Sequence, residues 1–339
     1  MKVITGVFTF FFLLLVLYFV YLNHQFSHRP LISSTSTSVQ TVLVLPHSHT
    51  YTLGRRLEKQ GFIRNPYNFV LFARIHALSA HLHYGKYYIQ PGMTALALLQ
   101  NMNAGKGLVM FDFRIHEGWT MHDLQQALEH KFTSTANLEG CLYPDTYRFA
   151  WGIESSQIIF AAKKKMDDVL SGLWALRAAD LPLKTPYEAL IVASLIQTET
   201  SDPNERAQVA AVIYNRLRQS MRLQIDPTVM YGLGLPYGSV LTKANLQQHT
   251  LYNTYQIEGL PPTPIAFPDL TSLQAALHPS KITALYYVAN GSGGHIFSST
   301  YEQHTQAVKR YRRLEAEQHR EQMESIAKVL TEFFRELVQ

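Results

Sequence analysis

One cysteine, Cys141, is all that the 339 residues provide, so an internal disulfide and a cysteine-based structural zinc site are both excluded. The fifteen histidines do not make up for it: His47 and His49 form a tight pair, but with no third ligand nearby and no HExxH pattern. Gly291-Ser292-Gly293-Gly294 is followed by no Lys-Ser/Thr, so it is not a phosphate-binding loop. Neither a metal nor a cofactor is expected. Dense Lys/Arg clusters are also missing, although the formal charge is +5 and the pI about 9.1. That mild excess argues against a nucleic-acid binder and suits an acidic polymer as partner.

What is present begins with Val3 to Leu22, an uncharged run of twenty residues, long enough to cross a bilayer core. The following NHQFSHRP offers no small-residue cleavage site, which favours an uncleaved transmembrane anchor over a signal peptide. Tyr18 and Tyr21 fit an aromatic interface belt. Lys2 and the amino terminus oppose Arg29, so charge alone does not orient the anchor. Leu31 to Gln40, LISSTSTSVQ, reads as a flexible linker. The remaining length accommodates two globular domains.

After the linker, Thr41 to Leu45 reads as a strand, Tyr51 to Gln60 and Asn65 to Leu78 as helices, and Tyr84 to Ile89 as a returning strand. Another helix follows over Thr94 to Met102. A faint repeat links Ile89-Gln90-Pro91-Gly92-Met93-Thr94 to Ile115-His116-Glu117-Gly118-Trp119-Thr120, each a strand end, a glycine turn and a threonine N-cap. It opens a second α+β unit near Leu108 and carries no function of its own.

The chemistry centres on Thr185 to Tyr231. Thr185 and Glu188 form a capping box with Pro186 at the first helical position. Ala189 to Ile196 are apolar on nearly every face except at Ser194, the mark of a core helix. Glu199 stands at its carbonyl end, where desolvation and the helix dipole both disfavour ionisation, as a general acid requires. Asp202, Pro203 and Glu205 look like the N-cap, first and third positions of a second helix. Arg222 to Tyr231 reads as a short strand and an Asp-Pro-Thr turn. Folding back, these elements would gather Asn215, Arg216, Gln224, Asp226 and Thr228 around the Glu199 carboxyl, a polar site of sugar size.

The blocks TETSDPNERAQVAAVIYNRL, MRLQIDPTVMYGLG, LYNTYQIEGLPPTPI, ALHPSK and GGHIF, with EGCLYPDTYRF before them, resemble the membrane-anchored endolytic murein transglycosylases (YceG/MltG-like) in content and order. The resemblance covers about half the chain. It implies that Glu199 is the catalytic acid/base, and it brings Asn253, Tyr255 and His295 to the substrate-binding set. It also implies an α+β fold: a single N-terminal transmembrane helix, a LysM-like βααβ module, then a mixed α+β catalytic domain. The expected boundaries are anchor 1–22, linker 23–40, LysM-like module 41–107, catalytic domain 108–310 and a charged C-terminal helix 311–339. That last helix should begin near Val308, with Ile326, Leu330, Phe333, Phe334 and Leu337 as an apolar stripe packing back on the domain.

The implied reaction cuts the β-1,4 bond between N-acetylmuramic acid and N-acetylglucosamine without water and leaves 1,6-anhydro ends on nascent glycan strands. The implied partners are peptidoglycan strands, the cytoplasmic membrane and cell-wall synthesis proteins, with the catalytic domain in the periplasm beyond a single pass of the inner membrane. One departure stands out: relatives often carry a second glutamate two residues before the catalytic one, and here that position is Gln197. It keeps a catalytically impaired murein-binding scaffold as an alternative. A hydrolytic muramidase is the other, and it would need Asp226 as second carboxylate.

Overall fold

In the computed structural model, residues 2–80, 82–128 and 137–338 are described, with the side chains of 2–4, 328–332 and 334–338 left aside. The chain forms two compact units: Met1–Phe113 with Tyr147–Glu154, and Arg114–Thr146 with Ser155–Gln339. The first unit reaches past the border expected at residue 107 because β3 (Met110–Ile115) pairs with β4 (Asp145–Ala150), which returns Tyr147–Glu154 to it.

The first unit opens with α1 (Lys2–Asn23), the one described helix long and apolar enough to cross a membrane, and a π-helical turn at His24–His28. Then come β1 (Gln40–Val44), α2 (Thr50–Lys59), α3 (Pro66–Ile75), β2 (Gly85–Ile89) and α4 (Ala95–Ala104). The strand, helix, helix, strand order thus matches the one expected. β1 and β2 are antiparallel, from Gln40 opposite Ile89 to Val44 opposite Gly85. Local chemistry sets the helix starts: Asn65 accepts from the Tyr67 and Asn68 N–H groups, and Thr94 from that of Ala97. The core joins Val42, Val44, Leu53, Phe69, Phe72, Tyr87, Ile89 and Leu98.

Leu22, Phe26 and Ile32 belong to the same core, which corrects the expectation of a linker from residue 23. Leu31 N–H donates to Met93 O at 2.8 Å and Gly92 N–H to Ile32 O at 3.0 Å. The linker composition holds only for the Ser/Thr stretch that follows; Phe26 and Ile32 before it are buried and Leu31 partly so.

The second unit contains α5 (Met121–Ala127), α6 (Ser155–Ala175), α7 (Pro186–Glu199), α8 (Arg206–Arg218), α9 (Asp226–Leu233), α10 (Lys243–Gln247), α11 (Leu270–Leu277), the antiparallel hairpin β5 (Tyr286–Ala289) and β6 (His295–Ser298), and α12 (Tyr301–Val338). α7 is the central element, with Ala189 to Ile196 all buried, and α6, α8 and α11 pack around it. The glycine turn at 291–294 joins β5 to β6. Residues 222–225, expected as a strand, form no ladder; the Gln224 N–H instead donates to Thr254 O at 3.1 Å. α12 starts before Val308, and its first turns pack on the hairpin, with His304 stacked on Tyr286 at 5.0 Å. Of its apolar stripe, Ile326 and Phe333 are exposed, and the side chains of Leu330, Phe334 and Leu337 lie outside the described residues.

Candidate active site

α7 delivers Glu199 through a start and an interior that both follow from its residues. The Thr185–Glu188 capping box is formed, with Pro186 at the first position. Ser194, the polar exception in the core, donates to Ile191 O at 2.7 Å and accepts from the Ile265 N–H at 3.1 Å, which pins the 265 segment to the helix. At the last residue, Glu199 Oε2 accepts from the Tyr287 hydroxyl at 2.7 Å. Burial pushes the Glu199 carboxyl from 4.5 up to about 7; the Tyr287 hydrogen bond opposes the shift, the Asp226 charge adds to it, and His295 and Arg216 oppose it. Burial thus favours the neutral acid over the carboxylate at this position.

Arg216 faces Glu199 electrostatically while its guanidinium ties two strips of chain together. Nε donates to Leu285 O at 2.6 Å, and Nη1 to Leu223 O at 2.7 Å, Arg222 O at 3.2 Å and Gln224 Oε1 at 3.4 Å. The group lies over the Tyr286 ring at 5.3 Å, and burial lowers its pKa. Gln224 itself is exposed and adopts a left-handed φ of 52°, a conformation uncommon for a residue with a side chain. Two residues on, Asp226 Oδ1 accepts from the Tyr255 hydroxyl at 2.5 Å, and burial, followed by that bond, raises the Tyr255 pKa.

His295 comes from β6. Its Nδ1 lies 2.7 Å from Glu205 Oε2 and its backbone N–H donates to Glu205 Oε1 at 2.7 Å. The imidazole stands edge-to-face against Tyr287 at 5.4 Å. Gly294 makes this possible, because a Cβ there would meet Glu205 Oε1 at 2.6 Å. Asp202 was expected to cap α8 and does not: its Oδ1 accepts from the Asn204 N–H inside a turn, and the helix begins at Arg206. Glu205 makes no side-chain cap bond at the start of α8 and binds His295 instead.

Arg216, Asp226, Tyr255 and His295 all interact electrostatically with Glu199, and Gln224 stands beside Arg216, whereas three other expected substrate contacts do not join them. Asn215 Nδ2 donates to Ile282 O and Ala284 O, both at 2.9 Å, and so fixes the approach to β5. Thr228 is fully buried, its hydroxyl bonded to Ile225 O at 2.6 Å and Thr254 Oγ1 at 2.9 Å. Asn253, also buried, donates to Gln248 O at 2.6 Å and Leu246 O at 3.2 Å and accepts from the Tyr255 N–H at 3.0 Å. These three shape the loops that carry the site. Gln197 is likewise structural: its Oε1 accepts from the Asp269 N–H at 3.0 Å and the Ser272 hydroxyl at 2.9 Å, at the start of α11.

Sequence reasoning missed Tyr287 and Glu205. Strand alternation puts Tyr286 and Tyr287 on opposite faces, but only the hydrogen bond of Tyr287 to Glu199 reveals which of them faces the carboxyl. Glu205 was hidden because an acidic residue near a helix start already has a capping explanation. Among the described residues, no group of three or more His, Cys, Asp or Glu side chains could hold a metal ion.

The YceG-like family model matches residues 42–310, most of the chain, and the chain belongs to that family. Among characterised relatives it is similar to the endolytic murein transglycosylase of Bacillus subtilis, 29% identical over 290 residues that cover 75% of this chain and 80% of that protein. It is also similar to the endolytic murein transglycosylase of Streptococcus pneumoniae, 24% identical over 329 residues. That match takes in 82% of this chain and 59% of the streptococcal protein, which is therefore spanned over less than two thirds of its length. Among solved structures, a YceG-like protein from Listeria monocytogenes superposes with a TM-score of 0.51 at 28% identity, covering 80% of this chain and 99% of that one.

Proposed function

We propose that the protein is an endolytic murein transglycosylase, a lyase of peptidoglycan, with Glu199 as its single acid/base. The observation that carries this reading is the Glu199 carboxyl, raised to about 7 and held by Tyr287 within a family chain. The protonated carboxyl gives its proton to the oxygen leaving the muramic C1 carbon. As carboxylate it then takes the proton of the muramic C6 hydroxyl, and that oxygen closes on C1 to leave a 1,6-anhydro end. One carboxylate returns to its starting state, so neither water nor a second acid takes part. Arg216, Gln224, Asp226, Tyr255 and His295 contact or orient the sugars and peptide stems, while Asn215, Thr228 and Asn253 hold the loops that present them.

The apolar helix α1 anchors the chain in the cytoplasmic membrane, with the two compact units on the outer, murein side. The βααβ order of the first unit supports a LysM-like module that holds the glycan, and cell-wall synthesis proteins are the natural neighbours of such an enzyme. Mass spectrometry of purified murein strands incubated with the full chain and with Glu199→Gln tests the reading. Anhydro-muramic ends should appear with wild type alone. Reducing ends would identify a muramidase instead, and strand binding without cleavage by either protein a scaffold.

A further inference from the structure

α1 runs into the first compact unit without a free joint. Leu22 and Phe26 are buried, and the Phe26 ring lies 5.9 Å from that of Phe69 and 5.2 Å from that of Phe72 on α3. Four residues before Leu22, the Tyr18 hydroxyl donates to Asn68 Oδ1 at 2.8 Å, in the first turn of α3. The unit is therefore clamped to the apolar helix at two levels, one of them inside the apolar run.

That clamp fixes a depth. Twenty uncharged residues make about 30 Å of helix, the thickness of a hydrocarbon core. Leu22 ends the run, so Tyr18 starts roughly 6 Å inside it, and the Tyr18 hydroxyl lies at the boundary between hydrocarbon and headgroups. Beside the bonded Asn68 stands Tyr67, 68% exposed, whose ring lies 5.3 Å from that of Tyr51 with the two hydroxyls 3.3 Å apart. Leu71, one turn further along α3, is exposed at 41%. Tyr18 also neighbours Tyr21, ring centroids 6.4 Å apart. The exposed tyrosines thus continue from the anchor onto the α2–α3 edge, and tyrosine, with an apolar ring and a polar tip, is suited to that depth. Arg64 and Arg74, both exposed, bracket the strip in sequence and suit anionic headgroups.

We propose that the α2–α3 edge carrying Tyr51, Tyr67 and Leu71 is a lipid-contacting surface that seats the first compact unit in the headgroup layer of the bilayer that α1 crosses. The proposal rests on α1 being a membrane span, and the experiment separates the two. The full chain with Cys141→Ser is reconstituted in phosphatidylcholine/phosphatidylglycerol vesicles and spin-labelled singly at Phe12→Cys, Tyr67→Cys, Leu71→Cys or Gln100→Cys. Accessibility to oxygen and to a water-soluble nickel complex is then compared. Phe12 should read as hydrocarbon and Gln100, exposed on α4, as water. Tyr67 and Leu71 should show an oxygen-to-nickel ratio several-fold above that of Gln100. A ratio equal to that of Gln100 at both positions, with Phe12 in hydrocarbon, overturns the lipid contact alone. An aqueous Phe12 overturns the span and the contact together. Agreement between the labels at Tyr67 and Leu71 guards against a local disturbance from either substitution.

Discussion

Glu139 and Glu199 are the two glutamates, among the described residues, whose carboxyls burial pushes up to about 7. Their surroundings differ. Glu139, 6% exposed, accepts from the Met121 N–H at 3.1 Å and 3.3 Å and from the Tyr231 hydroxyl at 3.0 Å. Its neighbour Gly140 is pressed so closely on Pro264 that a Cβ would come within 2.2 Å. Glu199 is less enclosed, bound by one hydroxyl, and faced by Arg216, His295 and Asp226. A raised pKa is thus common to both; what separates them is the acceptor capacity that Glu199 keeps, with one bond accepted where Glu139 accepts from both a backbone N–H and a hydroxyl.

Substitution should divide the pair most sharply. Glu199→Gln should lower turnover of murein strands roughly 10²- to 10⁴-fold, the range that general acid-base catalysis supplies, and leave the fold intact. Glu139→Gln should leave turnover within a few-fold and cost about 1–3 kcal/mol of stability, because the amide offers a second donor to the Met121 N–H. Thermal melts carry a further signature. A carboxyl whose folded pKa is raised stabilises the fold fully below its unfolded value near 4.5, and that contribution is lost as pH rises through about 7. Glu139→Gln should flatten the melting temperature across that window. Turnover lost equally in both variants would erase the distinction.

Next in size is the support behind His295. Glu205→Ala removes both bonds that hold His295, and kcat/KM should fall about tenfold to a hundredfold through misplacement. Glu205→Gln should recover part of the loss, since its carbonyl oxygen can still accept the His295 N–H. Equal loss in both would mean that the charge of Glu205, rather than its hold on His295, is what counts.

A smaller effect separates the site from its frame. Asn253→Ala should cost about 1–3 kcal/mol, as buried donors and acceptors lose their partners, with KM unchanged; Tyr255→Phe should leave stability nearly unchanged and raise KM. The residues concerned show how far local pattern reaches. Thr185, Pro186, Thr94 and Asn65 announce helix starts because capping is decided within four residues. Glu199 is legible for the same reason, as the end of a helix whose length and burial are written in its own apolar run. Asn215, Thr228 and Asn253 are polar residues in the right neighbourhood, and only the chain segments that come to meet them, 282–284, 254 and 246–248, show that their polar groups face inward. Tyr287 lies 88 residues from the carboxyl it binds, and no local rule spans that distance.

The finest test lies in that bond. The Tyr287 hydroxyl favours the ionised carboxylate and so holds the Glu199 pKa below the value that burial alone would set. Proton donation to the leaving oxygen needs the neutral acid, so kcat/KM should decline as pH rises through about 7. Tyr287→Phe removes the hydroxyl, and the alkaline limb of the profile should move upward, keeping the enzyme active at a pH where wild type has lost its proton. Maximal turnover at low pH should change little, because Glu199 is protonated there in both proteins. A downward shift would mean that the hydroxyl serves the neutral acid instead, and it would remove the contrast with Glu139, where the Tyr231 hydroxyl likewise lowers the carboxyl pKa but no proton is passed on.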